Sequence, residues 1–155
     1  MGPGVPTFWI MLGQLYNSDI LSLSSTLRNE RLDQPDGTSR KLSKLCGSWV
    51  EVDVAMDGPC VTAAALRVEA CALGQASAAI LKQSIVGATL DELVDARDSL
   101  RAMLKNGGEA PEGRFTDLAL LQGVRDYPAR HQSTLLAFEA AVEAVSDALR
   151  AGATT

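Results

Sequence analysis

The sequence predicts an α+β fold: a small antiparallel three-stranded sheet with helices packed mainly on one face. Three observations predict it. A clean two-residue alternation runs from Trp49 to Met56 with turn residues behind it. Apolar stripes at steps of three and four mark amphipathic helices on either side of that stretch. The order of elements is helix, then strands, then helices, which stacks helices against one layer of sheet.

The first helix is expected from Leu12 to Leu27, where Leu12, Leu15, Tyr16, Ile20, Leu23 and Leu27 form one stripe; residues 1–11 are expected to be a loose N-terminal arm. Polar residues from Asn29 lead to the turn Pro35-Asp36-Gly37. A short strand is expected between Thr38 and Leu45. In the next strand, Val50, Val52, Val54 and Met56 form a buried face, and Trp49, Glu51, Asp53 and Ala55 a wet one. Asp57-Gly58 reads as a hairpin turn, and Pro59 to Glu69 returns as the third strand, with Cys60 a packing residue.

After Cys71, a helix rich in small residues (Leu73, Ala76, Ser77, Ile80, Leu81, Ser84) is closed by Gly87. Thr89 is an N-cap with Glu92 three positions on, a capping box for a helix to about Leu104, ended by Asn106-Gly107-Gly108. Thr116 or Asp117 caps a short helix carrying Leu118, Leu120, Leu121 and Val124. Pro128 stops it before a last helix from about Ala129 to Leu149.

With 155 residues, 46% of them apolar and 21% charged, the chain is expected to be one globular domain spanning 1–155. A formal net charge of −5 with scattered basic residues argues against nucleic acid as a partner. The apolar run Phe8 to Leu12 is too short to span a bilayer and has no leading Lys or Arg, so neither a signal peptide nor a membrane segment is expected. Three cysteines, an odd number, argue for reduced thiols and a cytoplasmic setting rather than a disulfide framework.

Chemistry concentrates at three places. Cys46 precedes Gly47 at the head of the alternating strand, and glycine lets backbone approach a ligand closely. The run Arg40, Lys41 and Lys44 leads into it and would raise the local positive potential around a thiolate. Cys71 lies where a strand hands over to a helix, and the unpaired N–H groups of a helix start favour the thiolate, the form that binds metal. His131, the sole histidine, stands two positions before Ser133 near the start of the last helix, and imidazole ligates zinc and iron. Taken singly, Cys71 reads as a small buried hydrophobe, Cys46-Gly47 as a strand-end turn and His131 as a surface residue beside an arginine.

Taken together, Cys46-Gly47-Ser48, the stretch Ala70 to Ala78 (ACALGQASA), and the block Leu121 to Arg130 (LQGVRDYPAR) resemble the U-type scaffold proteins of iron–sulfur cluster assembly, the family of the NifU N-terminal domain, IscU and SufU. The resemblance spans nearly the whole chain. It implies a protein that is not an enzyme, that binds iron, zinc or a nascent iron–sulfur cluster of the 2Fe-2S type transiently, and transfers it to acceptors. It implies a cysteine desulfurase and Fe–S acceptor proteins as partners, and two copies sharing a cluster as a homodimer would supply four thiolates. In the family, Cys, Asp, Cys and Cys hold the metal. Mapped here, the cysteines are Cys46 and Cys71, the Asp position is Ser48, and the third Cys position is Ser133, so Cys46, Cys71 and Ser133 line the cluster site, with His131 a candidate further ligand. Hydroxyls are poorer ligands than thiolate or carboxylate.

Two other readings stand beside this one. A degenerate paralogue, favoured by Ser48 and Ser133, would dock a cysteine desulfurase or other assembly factor without holding metal. A thiol enzyme with Cys71 as nucleophile and His131 as base lacks an identifiable Asp or Asn to orient the histidine. No glycine-rich loop with the required lysine follows a strand, which excludes a phosphate-binding loop.

Overall fold

The computed structural model describes residues 17–153. Helix α1 spans Ser18–Thr26, and the strands are β1 (Gly37–Leu42), β2 (Trp49–Asp57) and β3 (Cys60–Glu69). Helices α2 (Ala72–Ser84) and α3 (Leu90–Asn106) follow, then 3₁₀ segments at Gly113–Asp126 and Pro128–Arg130, and the long helix α4 (His131–Ala153). The sheet order is β1-β2-β3, antiparallel throughout, with Val52 opposite both Ser39 and Leu66. This is the expected α+β arrangement. The expected start of the first helix at Leu12, Leu15 and Tyr16, and the arm 1–11, lie outside the described residues.

The buried face of the sheet carries Val50, Val52 and Val54 of β2 with Leu66 and Val68 of β3. Helix α4 lies across β1 and β2, with Ala144 and Ala148 against Gly37 of β1 and Phe138 edge-on to Phe115, and α2 and α3 pack on α4. Close contact needs small groups. Gly37 sits where an added Cβ would meet the carbonyl oxygen of Ala144 at 2.1 Å, so only glycine lets β1 approach α4 this closely.

The outer face is not uniformly wet. Asp53, expected in water, is 3% exposed because Arg67 of β3 folds over it: Arg67 Nη2 donates to Asp53 Oδ1 at 2.8 Å and Nε to Glu51 Oε1 at 2.6 Å. Arg67 Nη1 also donates to the carbonyl of Glu30 (2.6 Å), and Leu32 N donates to Asp53 Oδ2 (3.0 Å), so the pair pins the stretch after α1 over the sheet. A buried charge needs such a complete set of partners.

The Thr89–Glu92 capping box forms in both directions, at 3.3 Å and 3.2 Å, and Gly107 ends α3 at φ 67°. The segment expected to be capped by Thr116 or Asp117 is 3₁₀, and a further turn from Gly113 stands ahead of it, separated by the non-helical Phe115 (φ −108°, ψ 30°). Arg114 holds that first turn against α2 and α3, donating to Glu92, to the carbonyl of Ser84 (3.2 Å) and to that of Val86 (3.0 Å). The last helix begins at His131 rather than Ala129, because Pro128–Arg130 forms one tight 3₁₀ turn first. Among the described residues no helix is long and apolar enough to cross a membrane.

Candidate functional site

Cys46 lies in the turn joining β1 to β2. Ser43 N donates to Ser48 O (2.7 Å) and Gly47 N to Ser43 O (2.9 Å), closing a tight loop. Gly47 takes φ 74°, the left-handed region where a side chain is strained. Ser43 ties this loop to the start of α4, its Oγ donating to Gln132 Oε1 at 2.7 Å.

Within the loop the exposed Cys46 Sγ lies 3.4 Å from Ser43 Oγ and 3.1 Å from Ser48 Oγ. The hydroxyl of Ser43 first, then the hydroxyl and backbone of Ser48, and then the charge of Arg130 hold the thiol below its ordinary value against a small opposing effect of burial. The expected source of positive charge was different. Arg40 stacks over Trp49 at 4.2 Å and Lys41 pairs with Glu143 at 2.5 Å, so both cations face other partners. The cation that reaches the thiol comes from the far end of the chain.

Cys71 is the N-cap residue of α2, in extended backbone, and its side chain makes no capping bond. Two contacts bring α2 and α4 together here. Gly74 allows the approach, since an added Cβ would meet Ser133 O at 3.2 Å and Ala70 Cβ at 2.8 Å; Ser77 Oγ donates to Thr134 O at 2.7 Å. The result places Ser133 Oγ 3.8 Å from Cys71 Sγ. Ser133 Oγ donates to the carbonyl of Arg130 at 3.1 Å, and Ser133 is buried.

Both cysteines line one open cleft of about 370 Å³, with Gly47, Ser48, Glu69, Ala70 and Arg130 completing its wall. His131 lies elsewhere. Its ring is buried, Nε2 sits 3.0 Å from Val124 O and 3.2 Å from Arg125 O, and it lines a separate groove beside Lys44 and Leu45. Adjacent positions on α4 thus serve two cavities, Ser133 meeting Cys71 while His131 holds the end of the preceding 3₁₀ segment. Cys60 is half-buried at the β2–β3 turn, bridged to Thr89. Among the described residues, no three His, Cys, Asp or Glu side chains converge closely enough to hold a metal ion.

Sequence reasoning missed Ser43, Gln132, Glu69 and a role for Arg130. The last carried a signal, since it closes the Pro-Ala-Arg block; the others are ordinary polar residues whose partners are distant in sequence.

Chemically, the cleft offers two accessible sulfurs, one acidified by hydroxyls, beside one guanidinium. Thiolates suit zinc, iron–sulfur clusters and other soft centres.

Comparison with known proteins adds to this geometry. The chain resembles the crystal structure of a NifU-like protein (N-terminal) from Brucella abortus, with a TM-score of 0.87 and 45% identity, covering 90% of this chain and 98% of that one. Its fold is also that of an iron–sulfur cluster assembly scaffold protein for the SUF system from Fervidobacterium islandicum (TM-score 0.78, 21% identity, covering 86% of this chain and 98% of that one). In sequence it is 23% identical to the iron–sulfur cluster assembly scaffold protein IscU of Thermotoga maritima over 132 residues, 84% of this chain and 92% of that protein. It is 24% identical to the zinc-dependent sulfurtransferase SufU of Bacillus subtilis over 135 residues, 87% of this chain and 92% of that protein. No family model matches the chain.

Proposed function

This chain belongs to the family of U-type iron–sulfur cluster assembly scaffolds, the family of the NifU N-terminal domain, and we propose that it holds iron, zinc or a nascent cluster transiently at Cys46 and Cys71 and passes it to acceptor proteins. The observation that carries this reading is the convergence of Cys46 and Cys71, distant in sequence, on one solvent-open cleft. The metal or cluster is cargo. The chemistry asked of the chain is ligand exchange at sulfur, not acid–base catalysis.

Each residue has a part. Cys46 supplies a thiolate favoured by the hydroxyls of Ser43 and Ser48. Cys71 supplies the second sulfur, at the start of α2. Ser48 and Ser133 stand at ligand positions of the family but offer only hydroxyls, which bind zinc and iron weakly. Partial coordination lowers affinity and leaves positions open for an acceptor's ligands. Two copies sharing one cluster would complete a four-thiolate set. A cysteine desulfurase supplies sulfur in this scheme, and an odd number of cysteines supports a cytoplasmic setting.

A second reading keeps the fold and drops the cargo: a metal-free module that docks an assembly factor. Ser48 and Ser133 favour it, since they offer hydroxyls at positions where the family carries a carboxylate and a thiolate. Anaerobic titration of the reduced protein with zinc or ferrous iron separates the two. The scaffold reading expects saturable binding that Cys46→Ser and Cys71→Ser each abolish. Binding that is absent, or indifferent to both substitutions, leaves the docking role.

A further inference from the structure

Beside the cysteine cleft lies a larger groove of about 760 Å³, and its chemistry is not that of the cleft. Its walls are the β1–β2 turn (Lys44, Leu45), the outer face of α3 (Arg101, Lys105) and the start of α4, with Leu135 at its floor and Glu139 at one end. Three cations and one carboxylate line it, in a chain whose formal net charge is −5. Arg101 is shared between Asp98 (3.6 Å) and Glu139 (3.8 Å). Lys44 and Lys105 are exposed and make no ion pair among the described residues.

The groove also carries an apolar anchor point. Leu45 is 76% exposed, the most exposed of the large hydrophobic side chains among the described residues, and Leu42 behind it is 55% exposed. A large side chain this bare, next to uncompensated lysines, marks a surface built to meet something. An inorganic anion would satisfy the lysines and leave Leu45 in water. An acidic peptide segment with an apolar side chain satisfies both.

We propose that this groove is a docking surface for an acidic segment of a protein partner, its carboxylates meeting Lys44 and Lys105 and an apolar residue covering Leu45. Leu45 is the neighbour of Cys46 in the chain, so a partner seated in the groove brings its adjoining surface over the cysteine cleft. The proposal goes beyond cargo binding and does not depend on it.

The test uses the full chain and a fluorescein-labelled synthetic peptide, twelve residues long, with two leucines between runs of aspartate and glutamate, followed by fluorescence anisotropy. The expected result is saturable binding that weakens about tenfold in the double variant Lys44→Glu, Lys105→Glu, and weakens as sodium chloride rises from about 0.05 to 0.3 M. Leu45→Ser, and a peptide with its leucines replaced by serine, should each lose about fivefold or more. All three substituted side chains are exposed, and unchanged circular dichroism confirms the fold. Cys46→Ser and Cys71→Ser should bind the peptide as the parent does, which separates this result from failure of the metal reading. No binding, binding indifferent to charge reversal, or displacement by inorganic phosphate with no dependence on the leucines overturns the proposal.

Discussion

Ser133→Cys tests whether the cleft is a metal site with a ligand missing. Across a tetrahedral zinc with Zn–S bonds of about 2.3 Å, two sulfurs stand roughly 3.8 Å apart. Cys71 Sγ and Ser133 Oγ are separated by 3.8 Å, so a sulfur at position 133 stands near the spacing that a shared ion requires. Structural zinc sites contribute about 10–16 kcal/mol over four ligands, or roughly 2.5–4 kcal/mol for each. Set against this is the hydrogen bond from Ser133 Oγ to the carbonyl of Arg130, worth about 1 kcal/mol. The net gain is about 1.5–3 kcal/mol, a roughly 10- to 200-fold tighter complex. Anaerobic competition against a chromophoric zinc chelator measures it, with the unfolding midpoint of the metal-free variant as a control. A Ser133→Cys protein that folds normally and binds zinc no more tightly than the parent refutes the argument that the Cys71 sulfur and position 133 address a common ion.

Two further predictions concern the buried pair on the outer face of the sheet. Asp53→Ala strips Arg67 of one of its two carboxylate partners and leaves Thr38 Oγ1 and Leu32 N without their acceptor. The expected loss in urea unfolding is about 3–5 kcal/mol, while the double change Asp53→Leu, Arg67→Met stays within about 1 kcal/mol of the parent. Burial works against the Asp53 carboxylate, yet the hydrogen bonds from Arg67, Leu32 N and Thr38 outweigh it and hold its pKa below the ordinary carboxylate value. A depressed folded pKa means stability fully present above the unfolded value, about 4, and lost as pH falls through the lower folded one. Urea midpoints followed downward from pH 6 should therefore drop for the parent and drop less for Asp53→Asn, with Glu92 and Glu143, also depressed, supplying the remaining slope.

Features decided by near neighbours were legible in the sequence, and those decided across the fold were not. The glycine end of α3 and the Thr89–Glu92 box each depend on residues within a few positions and stand in the structure as expected, while the alternation from Trp49 holds only as far as Val52: Asp53 is buried, and Met56, expected on the buried face, is half-buried beyond a register shift at Ala55/Met56. Asp53 was read as wet because alternation sees only its own strand; the residue that buries it lies on β3. The same limit acted at the site. Cys46 and Cys71 sit at local signals, a glycine turn and a helix start, but it was their combination with the Leu121–Arg130 block that singled them out. Their neighbours Ser43 and Gln132 are separated by 89 positions and bond across the loop to α4, a pairing no local pattern announces. Charge was misplaced for the same reason: Arg40 and Lys41 precede Cys46 in sequence, while Arg130 faces it in space.

Ser48 stands beside the Cys46 sulfur, and a single substitution there separates two properties, metal affinity and thiol reactivity. The Ser48 hydroxyl lies 3.1 Å from Cys46 Sγ and stabilises the thiolate without adding charge. An aspartate in its place supplies a carboxylate ligand, but without metal it sets a like charge beside the sulfur and disfavours the thiolate. Ser48→Asp should therefore raise zinc affinity, by about tenfold or more, and slow alkylation of metal-free Cys46 by iodoacetamide near neutral pH. The opposite signs are the content of the prediction. A general loosening of the loop would expose Cys46 and loosen the metal together, speeding alkylation while weakening zinc; that pattern, read by mass spectrometry and chelator competition on the same sample, would show that Ser48 acts as packing alone.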